Sequence, residues 1–271
     1  EEGWGKQLLS KRNSNGHWGD RFYQPKWIST HYTLLDLRNL SLNPENGISK
    51  EAIELTLNLG IAEDGGIPLG PSTSKYSDVC VNGMFLNYAS YFKTDEKKLC
   101  PIVNCILNEI MSDGGFNCQT NRSGARHSSL HSTISALEGL IAYQKAGYSY
   151  RLNELQNAQK SAEEFILLHQ LFLSDHTGEI IRKDFLNLPY PSRWKYDILR
   201  ALDYFQYSGS KWDERMNPAI QVLLKKQNND STWNVQAKHP GKVHFEMEKA
   251  GKPSRWNTLR AMRVLEHFKI E

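Results

Sequence analysis

The chain has 271 residues, 39% of them apolar and 11% aromatic with seven tryptophans, enough to bury a large core or to line a cavity with rings. Its 33 Lys and Arg against 30 Asp and Glu leave a net charge of +3 with the signs interspersed, a solvated surface that argues against a dedicated nucleic-acid binder. No stretch approaches the run of about 18 apolar residues that a membrane span needs.

In chain order the first predicted element is a polar helix, GKQLLSKR (5–12), closed by the turn SNGHWGD (14–20). An apolar helix entered through Pro25 follows, PKWISTHYTLLDLRNL (25–40). The next hairpin joins SKEAIELTLNLG (49–60), the glycine turn EDGGIPLG (63–70) and YSDVCVNGMFLNYASYF (76–92). A third joins KKLCPIVNCILNEIMS (97–112), SDGGFNCQ (112–119) and HSSLHSTISALEGLIAY (127–143). The fourth has a longer polar helix within 151–172, the turn DHTGEII (175–181) and YPSRWKYDILRALDYF (190–205). The fifth joins NPAIQVLLKKQ (217–227), NDSTWNVQ (229–236) and PSRWNTLRAMRVLEHF (253–268), where Leu259, Met262, Leu265 and Phe268 predict the apolar stripe. Between the last two lies a Lys/Gly/Pro stretch (237–253) with His239 and His244, expected to be a solvent-exposed loop and a possible lid.

An apolar residue follows each turn: Trp18, Ile67, Phe116, Ile180 and Trp233, at steps of 49, 49, 64 and 53 residues. A polar helix, a glycine turn and an apolar helix therefore form one repeating unit, and such hairpins bury their apolar faces only by stacking on neighbours. The expected fold is all-α, a single domain over 1–271, an α/α toroid of about five helical hairpins in two concentric layers. Trp27, Tyr32, Tyr88, His127, Trp194, Tyr196 and Trp256 are the expected lining of its central cavity, with core packing as the alternative for the three tryptophans. Cys80, Cys100, Cys105 and Cys118 are too few for a disulfide framework, so reduced thiols and a cytoplasmic setting are expected. The chain opens at Glu1 without a Met, from which a trimmed upstream segment is expected.

One stretch carries possible chemistry. Gly65-Gly66 leads through Lys75 to Asp78-Val79-Cys80, and Gly114-Gly115-Phe116 leads to Leu130-His131 and Gly139-Leu140. This order resembles the β subunits of protein prenyltransferases, most closely those of type I geranylgeranyltransferases, and more distantly the squalene and terpene cyclases. The resemblance implies an α/α barrel, an isoprenoid substrate, a helical partner subunit, Lys75 on the diphosphate, and a zinc ion held by Asp78, Cys80 and His131, the last two 51 residues apart. Carboxylate, thiolate and imidazole are the donors of a catalytic zinc with an open fourth position. In a continuous helix residues i and i+2 point about 200° apart, so Asp78 and Cys80 converge only if Asp78 precedes the regular helix. His127 lies four residues before His131 and is expected on the same helix face, as the ligand in its place or as a support. The pattern departs from the family where its basic loop has Ser72 in place of Arg and where Val81 replaces an aromatic after the Cys. Both changes weaken a diphosphate clamp.

Two other classes remain open. The chain has no Asp-Asp pair, which argues against both kinds of terpene cyclase. A carbohydrate-active enzyme needs carboxylates beside aromatic walls. Of the candidates, Asp64 and Asp113 belong to repeated Asp-Gly-Gly turns and are expected to be structural. Asp197 sits among aromatics and either acts as an acid or pairs with Arg193 or Arg200. The third class is a non-catalytic ligand-binding or scaffold protein, since the fold does not dictate function.

Overall fold

The polar helices end in turns of one construction. Asn13, Ala62, Met111 and Asn228 each donate a backbone hydrogen bond to the carbonyl four residues on, at 2.8–2.9 Å. Such a reversal needs a left-handed residue, supplied by Gly16, Gly65 and Gly114 at φ +84°, +87° and +94° and by Ser231 at φ +61°. The residue that closes the turn is then driven inward: Trp18, Ile67, Phe116 and Trp233 are at most 1% exposed. Their amides donate to side-chain oxygens near the start of the following apolar helix, Thr30, Asn82, Thr133 and Thr258, at 2.8–3.1 Å. In four of the five hairpins one side-chain acceptor thus ties turn to helix and satisfies a buried donor.

In this computed structural model, which describes residues 2–70 and 75–270, all five hairpins form. They pair α1 (Gly3–Leu9) with α2 (Thr30–Asn39), α3 (Gly47–Asn58) with α4 (Val79–Tyr91), and α5 (Glu96–Asn108) with α7 (Leu130–Lys145). The one-turn helix α6 (Thr120–Ser123) lies between the last two. The remaining pairs are α8 (Leu152–Leu168) with α9 (Ile198–Ser208) and α10 (Asn217–Lys225) with α11 (Arg255–Phe268). Among the described residues the regular strands are β1 (Trp233–Asn234) and β2 (Pro253–Ser254), antiparallel with Trp233 opposite Ser254. No described helix is long and apolar enough to cross a membrane. Ser72 lies outside the described residues.

Three local expectations change. α2 and α9 begin at Thr30 and Ile198, well after Pro25 and Pro191, because their starts are set by extended residues, Ser29 and Asp197. Asp197 caps α9 by accepting from the Arg200 amide at 2.8 Å. The fourth turn is one residue longer, closed by Ser174 N–H to Glu179 O at 2.7 Å, and the extra residue turns Ile180 outward to 44% exposure. In α11 the buried face is Asn257, Ala261, Val264 and Phe268, while Leu259 and Met262 are exposed. The helix is rotated to bury Asn257, whose amide donates to Leu188 O at 2.8 Å and Asn234 O at 3.3 Å.

The chain divides into two compact units, Glu1–Ala162 with Gly241–Phe245, and Glu163–Pro240 with Glu246–Glu271. In the first, α4 and α7 cross in direct backbone contact. A Cβ on Gly83 would overlap Ser135 O and the Ala136 Cα, and one on Gly139 would overlap the Gly83 carbonyl. In the second, Asp203 on α9 holds Arg260 and Arg263 of α11 at 3.0 and 2.9 Å.

Gly83→Ala and Gly139→Ala are each expected to lower stability by about 3 kcal/mol, because the new methyl forces two close-packed helices apart. In urea melts the double variant should lose less than the summed losses, since one separation relieves both. Either single variant melting like wild type would refute the close crossing.

Candidate functional site

The start of α4 gathers unusual chemistry. Asp78 is extended (φ −97°, ψ 119°), ahead of the regular helix as its convergence with Cys80 requires, and its side chain caps no amide of the first turn. It is buried, whereas Cys80 is half-buried. The thiol beside Cys80 belongs to Cys118: the Cys80 amide and the Ser132 hydroxyl each donate to Cys118 Sγ at 3.3 Å. The side-chain hydrogen bond with Cys80 is the main reason the Cys118 thiol is held below the usual thiol range, with Ser132 adding to it against the effect of burial. Tyr23 hydrogen-bonds Tyr32 through their hydroxyls at 3.0 Å. Burial pushes its phenol up, and the charges of Cys80, Asp78 and Cys118 push the same way.

The other expected residues of this unit lie on separate segments of the chain. Lys75 is exposed, its ammonium 5.2 Å from the Tyr76 ring centroid. His131 is half-buried in the first turn of α7. His127 is exposed and precedes the helix, so the expected common face with His131 does not form. The intervening serines are engaged elsewhere: the Ser128 amide donates to Asp113 at 2.7 Å and the Ser129 amide to Phe116 O at 2.8 Å. Asp113 and Asp64 serve as turn braces, Asp64 accepting from the Gly66 amide at 2.9 Å and from Ser77. Among the described residues no three His, Cys, Asp or Glu side chains converge closely enough to hold one metal ion. The donor types suit zinc.

The aromatic residues of the first unit form a packed cluster. Tyr32 and Tyr88 have no exposed surface and Trp27 has 7%. Tyr32 meets Trp27 edge-on at 4.9 Å and His31 at 4.8 Å, and the Tyr88 hydroxyl lies 3.1 Å from His31 Nδ1. A ligand reaches these rings only if side chains move. Part of the 237–253 stretch, expected to be solvent-exposed, packs here: His244 Nε2 is 2.9 Å from Thr33 Oγ1, and a Cβ on Gly241 would overlap the Trp27 indole.

The second unit holds a different constellation. Asp197 is 1% exposed. Burial raises its carboxyl above the usual range, opposed by Arg260, the Arg200 amide, Ser192 and the Arg200 charge. Oδ1 accepts the capping bond, while Oδ2 and the Ser192 hydroxyl face each other without closing a hydrogen bond of good geometry. His239 accompanies them, its Nε2 3.1 Å from Ser192 O, and its imidazole is pushed down to about 4 by burial and then by Lys195. Tyr196 is buried, with its hydroxyl donating to Leu171 O at 2.5 Å. Trp194 and Trp256 are half-buried. Trp256 stacks on Tyr190 with centroids 5.8 Å apart and planes 5° from parallel. Tyr190 and Cys118 were not singled out by motif, although each lies in a repeated element: Tyr190 opens the fourth apolar segment and Cys118 lies in the third glycine-turn stretch (112–119).

No family model and no curated protein matches the sequence. Among solved structures, a glycosyl hydrolase of family 88 from Bacteroides vulgatus is 11% identical, with a TM-score of 0.50 over 96% of this chain and 78% of its own. A polysaccharide lyase is 11% identical, with a TM-score of 0.47 over 88% of this chain and 71% of its own. A type II terpene cyclase from Scytonema, in complex with merosterolic acid A, is 11% identical, with a TM-score of 0.36 over 97% of this chain and 94% of its own. Of the three, the glycosyl hydrolase likeness establishes a shared fold, and that fold is the α/α toroid.

His31 supplies a pH test of the first unit. Fully buried, its imidazole is pushed down to about 3 by desolvation, so it is neutral in the folded chain. The unfolded ring titrates near 6.5, so this contribution to stability is present above that pH and is lost as pH falls toward 3. Between pH 7 and pH 4 wild type should lose about 2–4 kcal/mol more than His31→Gln in denaturant melts. Equal losses would show that His31 is not buried as a neutral base.

Proposed function

We propose that this chain is a carbohydrate-active protein of the α/α-toroid class, with Asp197 as a proton-donating acid and the Tyr190–Trp256 stack as a platform for a sugar ring. The observation that carries this is the buried Asp197 carboxyl, shifted upward by desolvation, with one oxygen committed to capping α9 and the other unpaired. A carboxyl kept protonated at higher pH is the general acid that glycosidic bond cleavage uses. Flat, half-buried indole faces such as Trp256 suit the apolar faces of sugars, and aromatic contacts carry much of the energy of a binding site. The likeness to a glycosyl hydrolase is a matter of fold and adds nothing on substrate.

The test is turnover of a panel of neutral and uronate-containing oligosaccharides, followed by chromatography of the products. Asn remains a good helix cap, so Asp197→Asn should fold normally yet lower kcat by about 10²–10⁴-fold. Wild-type activity should persist on the acid side and fall as pH rises through a value above that of an ordinary aspartate, because the protonated form is the active one. Turnover by the Asp197→Asn variant at the wild-type rate, or no saccharide turned over or bound, would sink this reading.

Zinc-dependent prenyl transfer, with Lys75 on the diphosphate of an isoprenoid and Asp78, Cys80 and His131 on the metal, is the second reading. Asp78 and Cys80 follow one glycine turn and His131 follows the next, and that order and spacing support it. Metal analysis of untagged protein decides it: this reading expects one zinc per chain in wild type, lost in the Cys80→Ala/His131→Ala variant. Zinc-free protein would end it.

A further inference from the structure

Cys80 and Cys118 are 38 residues apart in sequence yet adjacent at the start of α4. Cys118 Sγ accepts from the Cys80 amide and from the Ser132 hydroxyl at 3.3 Å each. The Cys80 amide and the Ser132 hydroxyl together hold the Cys118 sulfur against the first turn of α4, where Cys80 lies. Both residues are half-buried, whereas Cys105 lies in the core. The remaining two cysteines contrast with this pair. Cys105 is buried, and desolvation pushes its thiol up to about 12. Cys100 is pushed up by burial and by Glu96, and its thiol donates to the Glu96 carbonyl at 3.4 Å.

We propose that Cys80 and Cys118 form a reversible dithiol–disulfide couple, with Cys118 as the attacking thiol, Cys80 as the resolving thiol and a hydroperoxide as the oxidant. Cys118 Sγ attacks one peroxide oxygen and the O–O bond breaks. The departing oxygen takes up a proton and leaves as water, or as an alcohol from an organic hydroperoxide. The Cys80 thiol then attacks the sulfenic sulfur, forming the S–S bond, and the sulfenic hydroxyl leaves with the Cys80 proton as water. Two thiols are oxidised by two electrons and one peroxide is reduced. A dithiol reductant reverses the change by exchange. The bond requires the two sulfurs to close to about 2.05 Å with a Cβ–S–S–Cβ dihedral of about 90°. It would lock the first turn of α4 to the segment following the third glycine turn. The proposal depends on neither reading of function above, although the disulfide would take Cys80 away from any metal.

The experiment treats reduced, full-length protein with hydrogen peroxide at neutral pH, counts free thiols after denaturation and maps cross-linked peptides by mass. The expected result is a fall from four free thiols to two, a peptide pair joining Cys80 to Cys118, and return to four on reduction. Cys80→Ser should instead accumulate a sulfenic acid on Cys118 that dimedone traps. Cys118→Ser, confirmed as folded by circular dichroism, should retain its three thiols under the same exposure. Four thiols surviving a dose that oxidises free cysteine would overturn the proposal. So would a bridge to Cys100 or Cys105, or thiol loss in Cys118→Ser at the wild-type rate.

Discussion

The first unit depends on the backbone contact between α4 and α7. Gly83 and Gly139 bring carbonyl and Cα atoms of the two helices into direct contact, where any side chain would overlap its neighbour's main chain. That approach maximises dispersion contacts between two otherwise apolar helices, and a close-packed interior has no slack to absorb a change in separation. It also determines which residues meet at the helix starts. With the helices crossing at residues 83, 135 and 139, the first turn of α7 presents Ser132 to the Cys118 sulfur while the first turn of α4 presents Cys80 to the same atom. The thiol cluster is therefore a consequence of helix packing.

The second recurring constraint is the bond from each turn to its apolar helix. A left-handed residue reverses the chain, the next large side chain is buried, and its amide would be an unsatisfied buried donor without the Thr or Asn oxygen that accepts it. The tryptophan indoles repeat the economy: Trp18 Nε1 and Trp233 Nε1 each donate to a carbonyl ten residues earlier, Leu8 at 2.7 Å and Leu223 at 2.8 Å. Apolar size and polar satisfaction are thus met by the same residue. Where the turn gains a residue, at Ser174–Glu179, this arrangement lapses and Ile180 faces solvent.

The two units place their unusual chemistry in opposite environments. In the second, desolvation dominates: Asp197 and His239 are both shifted toward their neutral forms. In the first, hydrogen-bond donation dominates at Cys118 and moves it toward its charged form. A shift toward the neutral acid and a shift toward the thiolate are different resources, the one suited to proton donation and the other to nucleophilic chemistry.

The five hairpins could be read from the sequence because helical periodicity and glycine turns are local signals: the residues that encode each element are its own neighbours. The burial of Trp18, Ile67, Phe116 and Trp233 follows from the same turn chemistry. Helix starts were read less well, because Pro25 and Pro191 permit a helix while the extended residues Ser29 and Asp197 set where it begins. The face of α11 was misjudged because burial of Asn257 is decided by carbonyls 69 and 23 residues away. Asp78 and Cys80 could be picked out by their spacing, but Cys118 as the neighbour of Cys80 could not, nor could the unpaired oxygen of Asp197. Those depend on how closely particular helices pack and on how much water they exclude. Local pattern thus determined which elements form and which turns join them. Tertiary packing decided which side chains meet and which lose their solvent, because both depend on contacts between residues remote in sequence.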